Sequence, residues 1–190
     1  MAWEPDYVTL SELKSYLRID DNLDDTLLAV WATTASRAVD GFCHRQFGSV
    51  TAEEREYTTQ YDRHLGCYIG FIDDVMDVDD LVVLDADANE VTDYSLLPVN
   101  ALKKGKPYER IAVNVSGPLL ITAPWGWTSV PVPVKNAALL QGARLSARRD
   151  SPFGVAGSPT EGSELRLLAT LDPDLKTSLG SKYRRERWAA

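Results

Sequence analysis

The sequence predicts an α+β protein in which an N-terminal helical hairpin and C-terminal helices flank a strand-rich middle segment. Three observations predict this class. Apolar residues recur at helical spacing near both ends, short runs rich in β-branched and aromatic residues occupy the middle, and helices and strands do not alternate along the chain. Because a parallel βαβ sheet needs that alternation, segregated helices and strands favour α+β.

The first helix is predicted from a capping box. Thr9 and Glu12 stand three residues apart, where a hydroxyl and a carboxylate satisfy each other's backbone amides. Leucines follow at helical spacing at positions 10, 13 and 17, so we expect this helix to end near Ile19.

A second helix is predicted after the acidic turn at residues 20–25. Carboxylates there favour a helix N-terminus through the macrodipole. One apolar face follows at helical spacing, and Gly41 is the expected C-terminal stop. The face consists of Leu28, Trp31, Ala35, Ala38, Val39 and Phe42. Residues 1–47 are therefore predicted to form a helical hairpin.

The middle segment, residues 55–130, has the composition of short strands separated by turns. Five strands are predicted, at 56–61, 67–72, 81–84, 94–97 and 119–122. Residues 85–89 and 103–107 have the Asp, Asn, Gly and Pro content of turns.

Helical spacing returns in the last third of the chain. A long helix is predicted at 131–150 with Pro133 in its first turn, followed by a Gly/Ser/Pro-rich loop at 151–164. A C-terminal helix opening at Asp172-Pro173 and a basic tail complete the segment 172–190. We expect residues 1–190 to form a single domain.

The charge is unevenly distributed. The 190 residues carry a net charge of -8, which does not favour a free-standing nucleic-acid binder. Residues 73–93 contain nine acidic and no basic residues, whereas residues 172–190 contain five basic and three acidic ones. This separation predicts two surfaces facing different neighbours, although each could also be a solvated face.

The same composition favours synthesis in a reducing compartment. Two cysteines cannot build a disulfide framework, and no apolar run approaches the ~18 residues of a membrane span. The first ten residues lack the basic and apolar regions of a secretory signal, so we expect none.

No pattern predicts catalysis, a metal or a cofactor. Asp85, Asp87 and Asn89 match the start of an EF-hand loop, but Glu90 replaces its required glycine. Cys43, His44, His64 and Cys67 lack the paired spacing of a structural zinc site. Adjacent carboxylates such as Asp73-Asp74 point to opposite faces of a strand, which disfavours a two-metal hydrolase. Phosphate-binding and nucleophile-elbow motifs are absent from the sequence.

Several segments taken in order resemble the head–tail connector (adaptor, or head completion) family of tailed bacteriophages. Each segment is short, and their order makes the resemblance specific. They are the run Tyr7–Asp20, the acidic Asp24-Asp25 with Leu27-Leu28, Gly41–Arg45, Pro124–Pro131, Val134–Ala137, Arg148–Gly154, Leu171–Asp174 and Tyr183–Arg185.

The resemblance implies a non-enzymatic structural protein of the virion neck, made in the host cytoplasm. It would form a homo-oligomeric, dodecameric ring that docks on the portal protein after DNA packaging. The ring would extend the channel through which DNA passes non-specifically and would present a platform for the next neck or tail-completion protein. We expect neither a membrane partner nor a cofactor.

Two sets of residues are candidates for these roles. The resemblance places portal contact near the C-terminus, and arginine and aromatic side chains of the tail suit an interface. The portal-binding set is Tyr183, Arg184, Arg185, Arg187 and Trp188. The channel-lining set, expected to repel the DNA backbone, is Asp73, Asp74, Asp77, Asp79 and Asp80.

Truncation after Leu179 is expected to abolish assembly onto portal-bearing heads while leaving the fold intact. Two other functions remain open at this point. One is a different neck or tail-completion protein of the same assembly, and the other is a metal-dependent hydrolase built on the Asp clusters.

Overall fold

The computed structural model describes residues 5–149, 155–156, 165–166, 173–180 and 182–185. The chain divides into two compact units. Unit 1 comprises the residues up to 47 and those from 130 onward, and unit 2 is Gly48–Ser129. Within the described ranges, helices lie at both ends and a six-stranded antiparallel sheet lies in the middle, which confirms the α+β prediction.

The described helices of unit 1 are α1 (Leu10–Leu17), α2 (Asp25–Cys43), α3 (Val132–Arg149) and α4 (Pro173–Gly180). Helix α2 packs against α1, α3 and α4. Gly142 allows close packing of α3 on α1, because a Cβ at this position would lie 3.0 Å from a Leu13 methyl carbon. None of these helices, in the part of the chain that is described, is long and apolar enough to span a bilayer.

The predicted capping box begins α1. The amide of Glu12 donates to Thr9 Oγ1 at 3.3 Å, and the amide of Thr9 donates to Glu12 Oε2 at 3.0 Å. Glu12 also pairs with Lys135 of α3, and this hydrogen bond, followed by that from Thr9, lowers the pKa of its carboxyl. One side chain therefore caps α1 and ties it to α3.

The predicted stop of α2 at Gly41 is wrong. The helix continues through Gly41 to Cys43, and His44 is the C-cap with φ 55°. The amide of His44 donates to the Asp40 carbonyl at 2.7 Å. The helix therefore ends at a histidine in the left-handed backbone conformation, at a position where glycine is more usual.

The sheet of unit 2 contains β1 (Glu53–Asp62), β2 (Cys67–Val75), β3 (Val82–Leu84), β4 (Tyr94–Leu97), β5 (Tyr108–Val113) and β6 (Pro118–Ala123). Their spatial order is β3-β6-β1-β2-β5-β4. The first half of β1 pairs with β6 and its second half with β2, so the sheet curls around this strand. The curled sheet encloses a core that includes Ile72, Ile111, Leu119 and Ile121.

Strand β5 is not among the five predicted strands. Its first three residues, Tyr108, Glu109 and Arg110, are polar or charged, and only Ile111 and Val113 point into the core. Two inward positions are too few for an alternating pattern to stand out, and pairing with both β2 and β4 defines the strand.

The two predicted turns are found. The carboxylate of Asp85 accepts hydrogen bonds from the amides of Asp87 and Asn89, both at 2.9 Å, and these contacts close the turn after β3. Hydrogen bonding to Asn89 is the main cause of a lowered pKa for Asp85. Residues 102–104 form a short 3₁₀ helix that ends at Gly105. The predicted loop at 151–164 lies outside the described residues apart from Val155–Ala156, a short strand (β7) paired with Leu165–Arg166 (β8).

Candidate functional site

The C-terminal segment 182–185 lies against the end of α2 within unit 1. Tyr183 is only 5% exposed and packs edge-to-face on Phe47, with the ring centroids 6.0 Å apart. Phe47 packs in the same way on Tyr7 at 5.9 Å. Tyr183 therefore belongs to an aromatic cluster that joins the N-terminal and C-terminal parts of unit 1.

Tyr7 makes this cluster rigid. Its hydroxyl donates to Asp40 of α2 and accepts a hydrogen bond from the Phe47 amide at 2.9 Å. Burial, followed by the hydrogen bond to Asp40, raises the pKa of Tyr7 well above its ordinary value. The hydroxyl thus serves as a neutral structural link, with both of its roles as donor and acceptor in use.

The two described arginines of the portal-binding set differ in their surroundings. Arg184 is exposed, its guanidinium lies 5.3 Å from the centre of the Phe42 ring, and Nη2 lies 3.4 Å from His44 Nε2. Arg185 anchors the backbone, because its amide donates to the carbonyl of Cys43 at 2.8 Å. Arg187 and Trp188 lie outside the described residues.

The channel-lining set separates into two groups. Asp73 accepts hydrogen bonds from Arg55 Nη1 at 2.7 Å and Tyr57 Oη at 2.8 Å, and buried Asp74 accepts one from Trp127 Nε1 at 2.8 Å. The other three carboxylates, Asp77, Asp79 and Asp80, are exposed after the end of β2. Asp73 and Asp74 therefore stabilise unit 2, and the exposed negative charge lies at positions 77–80.

The segment 125–127 closes the curled sheet, a role that the sequence alone did not indicate. Trp125 donates from Nε1 to the Glu53 carbonyl at 2.8 Å, and its ring packs on Tyr57 with centroids 5.3 Å apart. The Gly126 amide donates to the Asp74 carbonyl at 2.6 Å, and the Trp127 amide donates to the Gly48 carbonyl at 2.6 Å. These bonds join the start of unit 2 to the far ends of β2 and β6.

Two exposed apolar features were also missed by the sequence reasoning. The first, here called the α2 groove, is a depression of about 510 Å³ between α2 and the chain entering α1. It is lined by residues that include Asp6, Val8, Leu10, Ala29, Val30 and Thr33. A signal existed, because residues 26–36 contain no charged side chain.

The second feature, here called the hairpin tip, consists of residues 61–66 between β1 and β2. Tyr61 and Leu65 are exposed there by 57% and 59% of their surfaces. Their exposure could not be read from the sequence, because it depends on which face of β1 the rest of unit 2 covers.

The described residues contain no group of three or more His, Cys, Asp or Glu side chains placed to hold a metal ion. Cys43 is buried, and burial raises the pKa of its thiol to about 12, so a reactive thiolate is disfavoured there.

One comparison with known protein families bears on these surfaces. Residues 7–64 match the phage gp6-like head-tail connector protein family. The matched segment contains α1, α2, β1 and residues 61–64 of the hairpin tip. The helices in the matched segment overlap the run Tyr7–Asp20, with which the resemblance to connectors begins. The match confirms that resemblance. The family is a structural one, and its match supports a structural connector role. No match to this chain was found among the curated proteins.

Proposed function

We propose that this chain is a head–tail connector of a tailed phage that forms a ring in the virion neck. The ring docks on the portal protein after DNA packaging, extends the DNA channel and carries the next neck or tail-completion protein. The observation that carries this proposal is the connector-family match over residues 7–64. The small helical bundle of unit 1, in which Glu12 and Tyr7 tie the helices together, supports a structural role.

The basic C-terminal tail is the proposed portal contact. Arg184 is exposed, and Arg187 and Trp188 follow it in the chain. Arginine and tryptophan dominate the binding energy of many interfaces because they combine large contact area with directed hydrogen bonds. Tyr183 takes a different part, because it fixes the start of the tail to Phe47 and leaves the following residues to meet the portal.

The structure changes the truncation that tests this contact. Cutting after Leu179, the cut chosen from sequence, would remove buried Tyr183 and the Arg185–Cys43 hydrogen bond, so the fold would not stay intact. A variant that ends at Arg185 removes only residues 186–190 and keeps both of these contacts. Lys176→Ala is the matched control, since this exposed lysine of α4 lies outside the tail.

We expect the chain ending at Arg185 to lose at least about tenfold in binding to portal-bearing heads, because ~1.4 kcal/mol of interface energy corresponds to tenfold. Co-sedimentation with tail-less heads measures the binding, and far-UV circular dichroism checks the fold. The Lys176→Ala chain should bind like the wild type. Unchanged binding of the truncated chain would place the portal contact elsewhere.

The exposed carboxylates Asp77, Asp79 and Asp80 are proposed to face the DNA channel. A ring presents each of them once per subunit, and this negative surface repels phosphates so that DNA slides without sticking. Asp73 and Asp74 are left out of the test because their hydrogen bonds to Arg55, Tyr57 and Trp127 stabilise unit 2.

Changing Asp77, Asp79 and Asp80 to Asn should slow DNA ejection from assembled particles by at least severalfold. Asparagine keeps the local hydrogen bond in which Asp77 accepts from the Asp79 amide. A control triple, Asp20→Asn with Glu54→Gln and Glu56→Gln, removes the same charge from exposed positions elsewhere. Fluorescent detection of released DNA gives the rate, and equal rates for the two triples would exclude a channel-facing role.

A further inference from the structure

The exposed face of α2 has the composition of an interface. The window 26–36 contains no charged residue in a chain that is 25% charged, yet Leu27 and Val30 are exposed by 43% and 55%. Interface centres are depleted in charge in this way, whereas a solvated helix face normally carries it. This face continues into the α2 groove through Val30 and Thr33.

The α2 groove has an apolar floor and one acidic side chain. Val8, Leu10, Ala29 and Val30 contribute apolar surface, and Asp6 supplies the negative charge. The Thr33 hydroxyl donates to Asp6 Oδ2 at 2.8 Å, and this bond holds the carboxylate beside the apolar floor. The groove therefore suits an apolar side chain that has a cation next to it.

The hairpin tip has that chemistry. Leu65 and Tyr61 provide exposed apolar surface, and Arg63, also exposed, stands between them in the chain. The only acid of the tip, Asp62, accepts hydrogen bonds from the amides of His64 at 2.8 Å and Leu65 at 3.2 Å. The carboxylate of Asp62 is therefore directed into the turn, whereas Arg63 is exposed to solvent.

The tip is also held in one conformation. The Gly66 amide donates to the Asp62 carbonyl at 2.8 Å, and Gly66 adopts φ 68°, which glycine tolerates without strain. Tyr61 packs edge-to-face on Tyr68 of β2, with centroids 5.2 Å apart. Because little conformational freedom remains to be lost, docking of this tip is favoured over docking of a flexible loop.

We propose that the hairpin tip of one copy of this chain docks into the α2 groove of the next copy. Leu65 and Tyr61 cover the apolar floor, and Arg63 pairs with Asp6. The two surfaces are different, so the contact is heterologous, and a heterologous contact repeated from copy to copy generates a ring when its rotation closes. The inference rests on the proposed connector function for its place in the virion, but the contact itself is testable in purified protein.

Disulfide trapping between two single-site variants tests the contact. One chain carries Val30→Cys, the other carries Leu65→Cys, and both carry Cys67→Ser so that the half-buried thiol near the tip does not compete. The chains are mixed and oxidised mildly, and mass spectrometry identifies the linked peptides. Val99→Cys is the matched control for Leu65→Cys, because Val99 also lies in unit 2 and is 65% exposed, close to the 59% of Leu65.

We expect the 30–65 disulfide to form at least tenfold faster than the 30–99 disulfide. Arg63→Asp in the tip chain should slow it, and Asp6→Arg in the groove chain should restore the rate, because the two reversals recreate an ion pair. Equal rates for 30–65 and 30–99 would overturn the proposal. Predominant 30–30 links would overturn it in favour of a symmetric contact between α2 faces.

The two proposals fail in distinguishable ways. If the 30–65 link forms but portal-bearing heads do not recruit the chain, the contact stands and the connector function is wrong. If heads recruit the chain without an accelerated 30–65 link, the function stands and this contact is wrong.

Discussion

Replacing Gly126 by alanine should destabilise unit 2 by about 4 kcal/mol or more, which places it among the largest effects of a single substitution. A Cβ at this position would lie 1.8 Å from the Gly48 carbonyl oxygen, far inside van der Waals contact. Gly126 also has φ 111°, a conformation that alanine rarely adopts. Relief of the clash requires breaking the hydrogen bonds that close the curled sheet, namely Gly126 to Asp74 and Trp127 to Gly48.

Gly117→Ala is the control that separates the clash from backbone strain. Gly117 has a similar φ of 104°, but no atom lies within 4 Å of a Cβ built there. Strain alone should reduce stability by about 1–3 kcal/mol. Urea denaturation followed by tryptophan fluorescence measures both variants, since Trp125 and Trp127 are buried in unit 2. Equal losses for the two alanines would show that the closure at Gly48 does not hold the sheet together.

Tyr183→Ala should destabilise unit 1 by about 3–4 kcal/mol, as expected for removal of a buried aromatic ring. The ring is 5% exposed and contacts Phe47, which in turn packs on Tyr7. Its loss leaves a cavity where the segment 182–185 meets the end of α2. Thermal unfolding followed by far-UV circular dichroism measures the change.

Two further tyrosine variants are controls for the Tyr183→Ala measurement. Tyr16→Ala removes a tyrosine from α1 that is half exposed, so its effect should stay within about 0.5 kcal/mol. Tyr183→Phe keeps the ring and removes only the hydroxyl, so it should recover most of the stability. If Tyr183→Ala were as mild as Tyr16→Ala, the C-terminal segment would not be part of the unit 1 core.

Elements whose signals are local could be predicted from the sequence. The capping box of Thr9 and Glu12 acts within four residues, and the turn at Asp85 closes through its own carboxylate. Strand β4 follows from its apolar run and flanking turns, and its bounds agree with the prediction. Strand β5 was missed because only Ile111 and Val113 point into the core, and its pairing with β4 and with the more distant β2 defines it.

The candidate site was less predictable than the fold. The arginine and aromatic residues of the tail suggested five equivalent contacts with the portal. Tyr183 is instead buried against Phe47, which lies far earlier in the chain. The acidic segment suggested five equivalent carboxylates, yet Trp127 and Arg55 bind two of them. Composition does not distinguish an exposed charge from a hydrogen-bonded one.

Periodicity, capping and turn chemistry therefore specified the class of the fold and most of its elements, because these effects act between residues close in the chain. The assignment of each side chain to core, hydrogen bond or free surface was decided by tertiary contacts. Gly126 shows the reason: it is one of 12 glycines in the sequence, and the neighbouring backbone of Gly48, which is distant in the chain, excludes a side chain there. Leu27 and Val30 show the converse. They are as apolar as their neighbour Leu28, yet they are exposed and Leu28 is buried.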